Sequence, residues 1–413
     1  MQKNAKLDGL LLILMLIFFI AVTSELQGQT LPLDERIFVL SKTYESVAIY
    51  FAHWEDAAIK PEQLDNVYKD FLKKAITTEN RKEFALLMSE FFALLRNSHS
   101  WYWDYEVYKG IKHLGFSWID LDGEWVVIES YIEGLKKGDL IVKVNEKAIN
   151  EWYKEYSKYI NASSERSRRD PIRSPLALFV PDIYFIEFIN EKGELEKIQV
   201  DRGQLEIKKE ELQTEGRWIE ENKVGYIKIP SFGKPEFENR AIEFVKEFKN
   251  AKALIIDVRG NRGGSTPGKL IDSLMDRPYR WWAESIPISI WNACLLSKPD
   301  YIKPKDTLYN GKLIILTDRV TGSAAEDFVV SFKDNKRATI IGEATAGSTG
   351  QPYTYNFGKG ITIGIGAKRA CLPDGSKFEG IGIEPDIEIR LTREDLYKNS
   401  DRVLEKAVEF AGE

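Results

Sequence analysis

KLIILTDRVTGSAAEDF, residues 312–328, holds the end of an apolar run, a turn and the start of a helix. Leu313–Leu316 reads as a strand, and Gly322 ends the turn that follows it. Ser323 with Glu326 three residues later is a capping box, in which each side chain satisfies an orphan backbone N–H of the first helical turn. The same stretch has a second reading. In a parallel sheet, ligands and reacting groups gather at the carboxyl ends of the strands, where loops feed helix N-termini. Ser323 stands at that address, so it is either a cap or a nucleophile, and these residues alone leave both open.

Working outward, residues 216–413 alternate strand and helix. VGYIKIPSF (224–232) is followed by FENRAIEFVKEFKN (237–250), by ALIIDVRGNRGGS (253–265) and by a helix from Pro267. After the Ser323 helix come ATIIGEATAG (338–347), the β-rich YTYNFGKGITIGIGAKRACL (353–372) and a final helix over 400–410. This is the βα alternation of a mainly parallel sheet. DVRGNRGGS has the same address as Ser323. Its glycines allow close approach and unusual φ, so their N–H groups can point at an anion, as in an oxyanion hole. A structural turn would look similar. The phosphate-loop pattern ending in Gly-Lys-Ser/Thr is absent.

Residues 106–203 have another character, with short β-rich runs such as EWVVIESYI (124–132), DLIVKVN (139–145), YFIEFIN (184–190) and LEKIQVD (195–201). The polar segment 161–175 is expected to be a mobile loop. It contains the formal glycosylation sequon Asn161-Ala162-Ser163. Before it, residues 31–97 carry three apolar sets at helical spacing, among them Leu40, Val47 and Phe51, then Leu64, Phe71 and Ala75, then Phe84, Met88, Phe91 and Leu95. Lys3 and Lys6 precede the 13-residue run LLLILMLIFFIAV (10–22), which small and polar residues follow. That is the order of a secretory signal peptide. The run is short for a spanning helix, which needs about 20 residues, so an uncleaved membrane anchor is the other reading.

With 413 residues, 43% of them hydrophobic and 30% charged, the chain has the composition of a globular protein of two or three domains. A net charge of −6 without long basic runs argues against nucleic acid as a partner. Cys294 and Cys371 are the only cysteines, able to pair or to stay as two free thiols. His53, His99 and His113 are scattered, and no His-Glu-x-x-His pattern suggests a metal site, so no cofactor is expected.

A serine nucleophile needs a base within hydrogen-bond reach and a group that orients the base. His99, in NSHSWYW at the end of the third helical set, is the best candidate, whereas His53 and His113 read as structural. Many carboxylates could serve as the orienting acid, and spacing does not choose among them.

In their order, several motifs resemble the tail-specific (C-terminal processing) protease family and its tricorn-core relatives. They are LLRNSHS (94–100), GLKKGDLIVKVNEKAI (134–149), ALIIDVRGNRGGS, TDRVTGSAAE (317–326), GEATAGSTGQ (342–351) and FEGIGIEPDIEI (378–389). The resemblance implies an α/β fold, with a crotonase-like spiral βαβ catalytic domain at 216–413. It also implies a PDZ-like β-rich domain at 106–203, an N-terminal helical region at 30–105 and a signal peptide at 1–29. It makes Ser323 the nucleophile. The commoner branch of the family places a base lysine in Thr-x-Gly-Lys-Gly, but here Ser348 stands at that position. The tricorn-like branch uses a Ser-His pair and a glutamate before Gly-Ile-x-Pro-Asp. Carried over, His99 is the base, Glu379 the carboxylate and Ser98 an accessory hydrogen-bonding member. Gly264, or Gly263, with Ala324 would form the oxyanion hole. Leu114-Gly115-Phe116 is the nearest match to a PDZ carboxylate-binding loop.

The expectation is an extracytoplasmic serine endopeptidase acting on protein or peptide substrates. It would have no nucleic-acid partner, and would meet a membrane only if the N-terminal segment is retained. A secreted binding protein that has lost turnover, and an esterase on the same residues, are the alternatives.

Overall fold

The computed structural model describes residues 30–208, 211–220, 223–287 and 294–413. The expected signal peptide lies outside the described residues, and so does the side chain of Cys294; Cys371 is a buried free thiol. Among the described residues no helix is long and apolar enough to cross a membrane.

The three helical sets form α1 (Leu33–Tyr50), α2 (Leu64–Thr77) and α3 (Arg81–Ala93). Asn80 caps α3, its side chain accepting from the Glu83 N–H at 2.9 Å. The apolar faces bury Val39, Leu40, Phe71, Phe84, Met88 and Phe91 in one core. That core is closed from far along the chain, because Ile361, Ile363 and Ile365 pack into it. They belong to a hairpin that extends the strand β1 (Trp101–Asp104) into a three-stranded antiparallel sheet. A buried ion pair, Arg81 Nε to Asp104 Oδ2 at 2.8 Å, ties α3 to β1, and Arg81 Nη2 reaches the carbonyl of Lys359 in the hairpin turn. The turn after α3, where His99 sits, is thereby fixed against the second half of the chain.

The next unit is antiparallel throughout. Its strands are β2 (Phe116–Leu121), β3 (Glu124–Ser130), β4 (Leu140–Val144), β5 (Ile183–Ile189) and β6 (Leu195–Asp201), paired in that order. The helix α4 (Ile149–Tyr156) packs Tyr153 and Tyr156 into a core with Trp118, Trp125 and Phe188. Segment 161–175 is not the loose loop its polarity suggests. It folds into short turns, Glu165–Arg168 and Pro171–Arg173, each opened by a capping side chain, Ser164 and Asp170. Asn161 spends its whole amide on the backbone of Asn97 and Ser100, so it has no free nitrogen to carry a glycan.

The rest is built on a six-stranded sheet, with a two-stranded and a three-stranded antiparallel sheet beside it among the described residues. The six-stranded sheet comprises β7 (Glu215–Glu220), β8 (Val224–Lys228), β9 (Ala253–Asp257), β10 (Lys312–Thr317), β11 (Thr339–Gly342) and a short β12 (Ile387–Glu388). The strands lie in the order β12-β11-β10-β9-β8-β7, all parallel except the β7–β8 pair. Both faces are covered. Leu254 and Ile256 point into one core with Phe244, Leu270, Phe328 and Val329 from the crossover helices. Ile255, Ile314 and Ile341 point into another with Ala407 of the last helix, Arg402–Gly412. Burial on both sides is why these strands read as unbroken apolar runs. The carboxyl ends of β9, β10 and β11 converge, so the glycine loop, the Ser323 turn and the 343–351 loop meet at one edge.

Candidate active site

Ser323 is pinned in a backbone conformation that side-chain-bearing residues seldom adopt, φ +55° and ψ −125°. Such a residue costs about 1–3 kcal/mol and persists only where the surroundings over-determine it. Here they do. Its N–H donates to the Ser348 carbonyl at 3.0 Å and to Glu326 Oε2 at 2.9 Å, and the preceding Gly322 N–H donates to the Asn261 carbonyl at 3.0 Å. Glu326 supplies the return half of the capping box, but the serine side chain makes no cap hydrogen bond. Its Oγ faces His99 Nε2 at 3.1 Å.

From His99 the contacts continue. His99 Nδ1 is 2.9 Å from Ser348 Oγ, which donates to Glu379 Oε1 at 3.0 Å. The same oxygen of Glu379 accepts from Asn97 Nδ2 at 3.0 Å and from Ser163 Oγ. Glu379 is 2% exposed. The residues come from five places far apart in sequence: the turn after α3, segment 161–175, the turn after β10, the loop after β11 and the motif before β12. The structure brings Ser323, His99 and Glu379 into one run, with Ser348 between the imidazole and the carboxylate. Ser98 is not in that run. Its Oγ accepts from the Ser163 N–H at 3.1 Å and its N–H donates to Ser163 Oγ at 2.9 Å, so it reaches Glu379 only through Ser163.

The hydrogen-bond directions select a tautomer. An ionised Glu379 only accepts, so Ser348 must donate to it and accept from His99 Nδ1–H, which leaves Nε2 bare toward Ser323. The electrostatics favour the neutral imidazole. A neighbouring carboxylate should raise the histidine, yet burial and the Arg173 guanidinium lower His99 to about 4. Glu379, one serine away, is itself pushed up to about 7 by burial, against the hydrogen bonds from Ser163 and Ser348.

Of the glycines, Gly263 has its N–H taken by Asn261 Oδ1 at 2.8 Å. Gly264, at φ +138°, and Ala324, the first residue of its helix, have N–H groups that no protein acceptor takes among the described residues. Both border a cavity of about 700 Å³ shared with His99 and Ser323 and walled by Trp281 and Trp282. Leu114 and Phe116 are buried in the antiparallel unit's own core. The Gly115 N–H is taken by His113 Nδ1 at 2.9 Å, and Tyr184 Oη holds the Leu114 carbonyl, so this loop offers no N–H at Gly115 for a carboxylate. No group of three or more His, Cys, Asp or Glu side chains among the described residues is arranged to hold a metal ion. Lys359 and Lys368 pair with Glu35 and Glu284.

The chain is similar to several known proteins. Residues 223–389 match the model described as peptidase family S41. The carboxy-terminal processing protease CtpA of Bacillus subtilis is 24% identical over 417 residues, covering 95% of this chain and 78% of that one. A tricorn protease homolog of Saccharolobus solfataricus is 26% identical over 68% of this chain, and the carboxyl-terminal-processing protease of Synechocystis is 26% identical over 40%. The matches span only 28% and 37% of those two relatives' own lengths. Among solved structures, mature CPAF superposes with a TM-score of 0.70 at 17% identity, over 91% of this chain and 96% of that one. The photosystem II D1 C-terminal processing protease gives 0.53 at 15%, over 87% and 94%. The chain shares their fold, and the resemblance to tail-specific and tricorn-like serine peptidases holds.

Proposed function

We propose that the chain is a serine endopeptidase that cleaves protein or peptide substrates outside the cytoplasm, through a Ser323–His99–Ser348–Glu379 relay. The observation that carries this is the unbroken run of hydrogen-bonding contacts from the serine at the carboxyl end of β10 to a buried carboxylate. The parallel sheet with its convergent loops is read as the crotonase-like catalytic domain, and the antiparallel unit as PDZ-like. The extracytoplasmic location rests on the sequence of residues 1–29.

In this reading Ser323 Oγ attacks the scissile carbonyl as His99 Nε2 takes its proton. The imidazolium is held by Nδ1–H donating to Ser348, which donates in turn to Glu379. The Gly264 and Ala324 N–H groups receive the oxyanion, where donors fixed in advance act most strongly. His99 passes its proton to the leaving amine, the peptide N–C bond breaks, and an ester remains on Ser323. Water, deprotonated by His99, then hydrolyses the ester and the proton returns to Ser323. An unfolded protein such as reduced casein tests the assignment. The full chain should cut it, and Ser323→Ala should abolish cutting while leaving circular dichroism unchanged. A folded Ser323→Ala protein with wild-type rates would refute it.

A further inference from the structure

His53 is fully buried just after α1, and sequence reading assigns it a structural place. Its Nε2 lies 3.1 Å from the Lys368 carbonyl, an atom that can only accept, so Nε2 carries a hydrogen. In the neutral ring Nδ1 is then a bare acceptor. It has no hydrogen-bond partner, and 3.9 Å away lies Glu379 Oε2, also buried and also without one. The three donors that reach Glu379, from Asn97, Ser163 and Ser348, all go to Oε1. Two buried acceptors facing each other with no donor between them repel, and each forfeits a hydrogen bond. A single proton on Oε2 resolves both once the pair closes from 3.9 Å to hydrogen-bond distance.

We propose that His53 is a positioning residue for the relay: its Nδ1 accepts a proton carried on Glu379 Oε2, and this shared proton sets the pH at which Glu379 becomes a carboxylate. The proposal rests on the relay reading above. The proton bookkeeping is simple. With Oε2–H present, Glu379 is neutral, and its Oε1 still accepts from Ser348 but only as a neutral carbonyl oxygen. When that proton leaves for solvent, Oε1 accepts from Ser348 as part of a carboxylate, and the stronger charge-assisted hydrogen bond holds His99 with Nδ1–H donating. The surrounding charges do not supply the missing proton. Asp56 is engaged by Lys377 at 2.6 Å and by Arg369, which also pairs with Glu55, while His99 acts on His53 and Arg173 on Glu379 through their charge. Burial lowers His53 to about 3 and raises Glu379 to about 7, which keeps the proton on the carboxyl rather than on the ring.

Two arms test this on the full chain. In the first, kcat/KM is followed against pH for wild type, His53→Phe and His53→Leu, neither of which offers an acceptor to Glu379. Both variants should move the acid limb to lower pH by about one unit, the scale of one lost hydrogen bond to the protonated form. A merely structural His53 would lower rates or stability without moving the midpoint, and that outcome overturns the proposal. The second arm needs no turnover and so stands even if the peptidase reading fails. In protein labelled with ¹⁵N-histidine and carrying Ser323→Ala, the His53 signals should be those of a neutral Nε2–H ring. Its Nδ1 shift should step at the pH where Glu379 ionises and lose the step in Glu379→Gln. A flat Nδ1 shift, or an Nδ1–H ring, overturns the proposal.

Discussion

Ser348 carries the sharpest test at the scale of single residues. Sequence places it where a lysine base would stand in the commoner family branch, which reads as a loss. In the fold it is the hydroxyl that joins imidazole to carboxylate, and nothing in its local sequence announces that contact. Ser348→Ala should retain the fold and cut kcat by about 10²–10⁴, the upper value being the effect of forcing a triad histidine into its wrong tautomer. An unchanged kcat would remove Ser348 from the relay. The pH profile follows from two opposite shifts. Glu379 is raised to about 7 and must be ionised, so kcat/KM should climb through that pH. His99 is lowered to about 4 and is already neutral there, so it adds a second, steeper fall only near 4. Glu379→Gln should leave a low plateau without the limb near 7; if the limb persists, it belongs to another group. Ser323, His99 and Glu379 were named by the family resemblance, and the fold brings them together. Asn97, Ser163 and His53 were not, because single polar residues acquire meaning only from partners hundreds of positions away.

Among elements, the turn before the Ser323 helix depends on Glu326. This fully buried carboxyl accepts from the N–H groups of Ser323, Gly347 and Ser348 and from Thr345 Oγ1, joining the loops after β10 and β11. The capping box seen in sequence is thus one corner of a larger clamp. Removing the acceptor leaves several buried donors unsatisfied, at about 1–3 kcal/mol each. Glu326→Ala should therefore cost at least about 3 kcal/mol in chemical denaturation and abolish turnover. A loss near 1 kcal/mol, the value of an ordinary cap, would mean that the clamp does not exist in solution. Helices and parallel strands were readable here from periodicity and apolar runs. The polarity of 161–175 was misleading, because its polar side chains are spent on internal hydrogen bonds and not on water.

Across the whole molecule, the antiparallel unit builds part of the site. Ser163 donates to Glu379, Arg166 holds the Thr345 carbonyl, Arg262 of the glycine loop pairs with Asp170 at 2.5 Å, and Arg319 reaches the Asp120 carbonyl. Replacing 106–203 by a short linker should abolish hydrolysis of a short peptide as well as of a protein. Full activity on the short peptide would make the unit a substrate selector only. The succession of helical sets, short β-rich runs and alternating strands and helices was readable from periodicity. The exchange between these segments was not: the hairpin that closes the helical core and the segment that brings Ser163 to Glu379 both join residues from different segments. The central claim is that Ser323 is a nucleophile activated by His99. Intact-mass and peptide mapping after treatment with a fluorophosphonate reads that directly. The wild-type chain should gain one label, on Ser323, that is absent in Ser323→Ala and at least 10²-fold slower in His99→Ala. No label on the wild type, a label elsewhere, or an undiminished rate in His99→Ala would contradict the account.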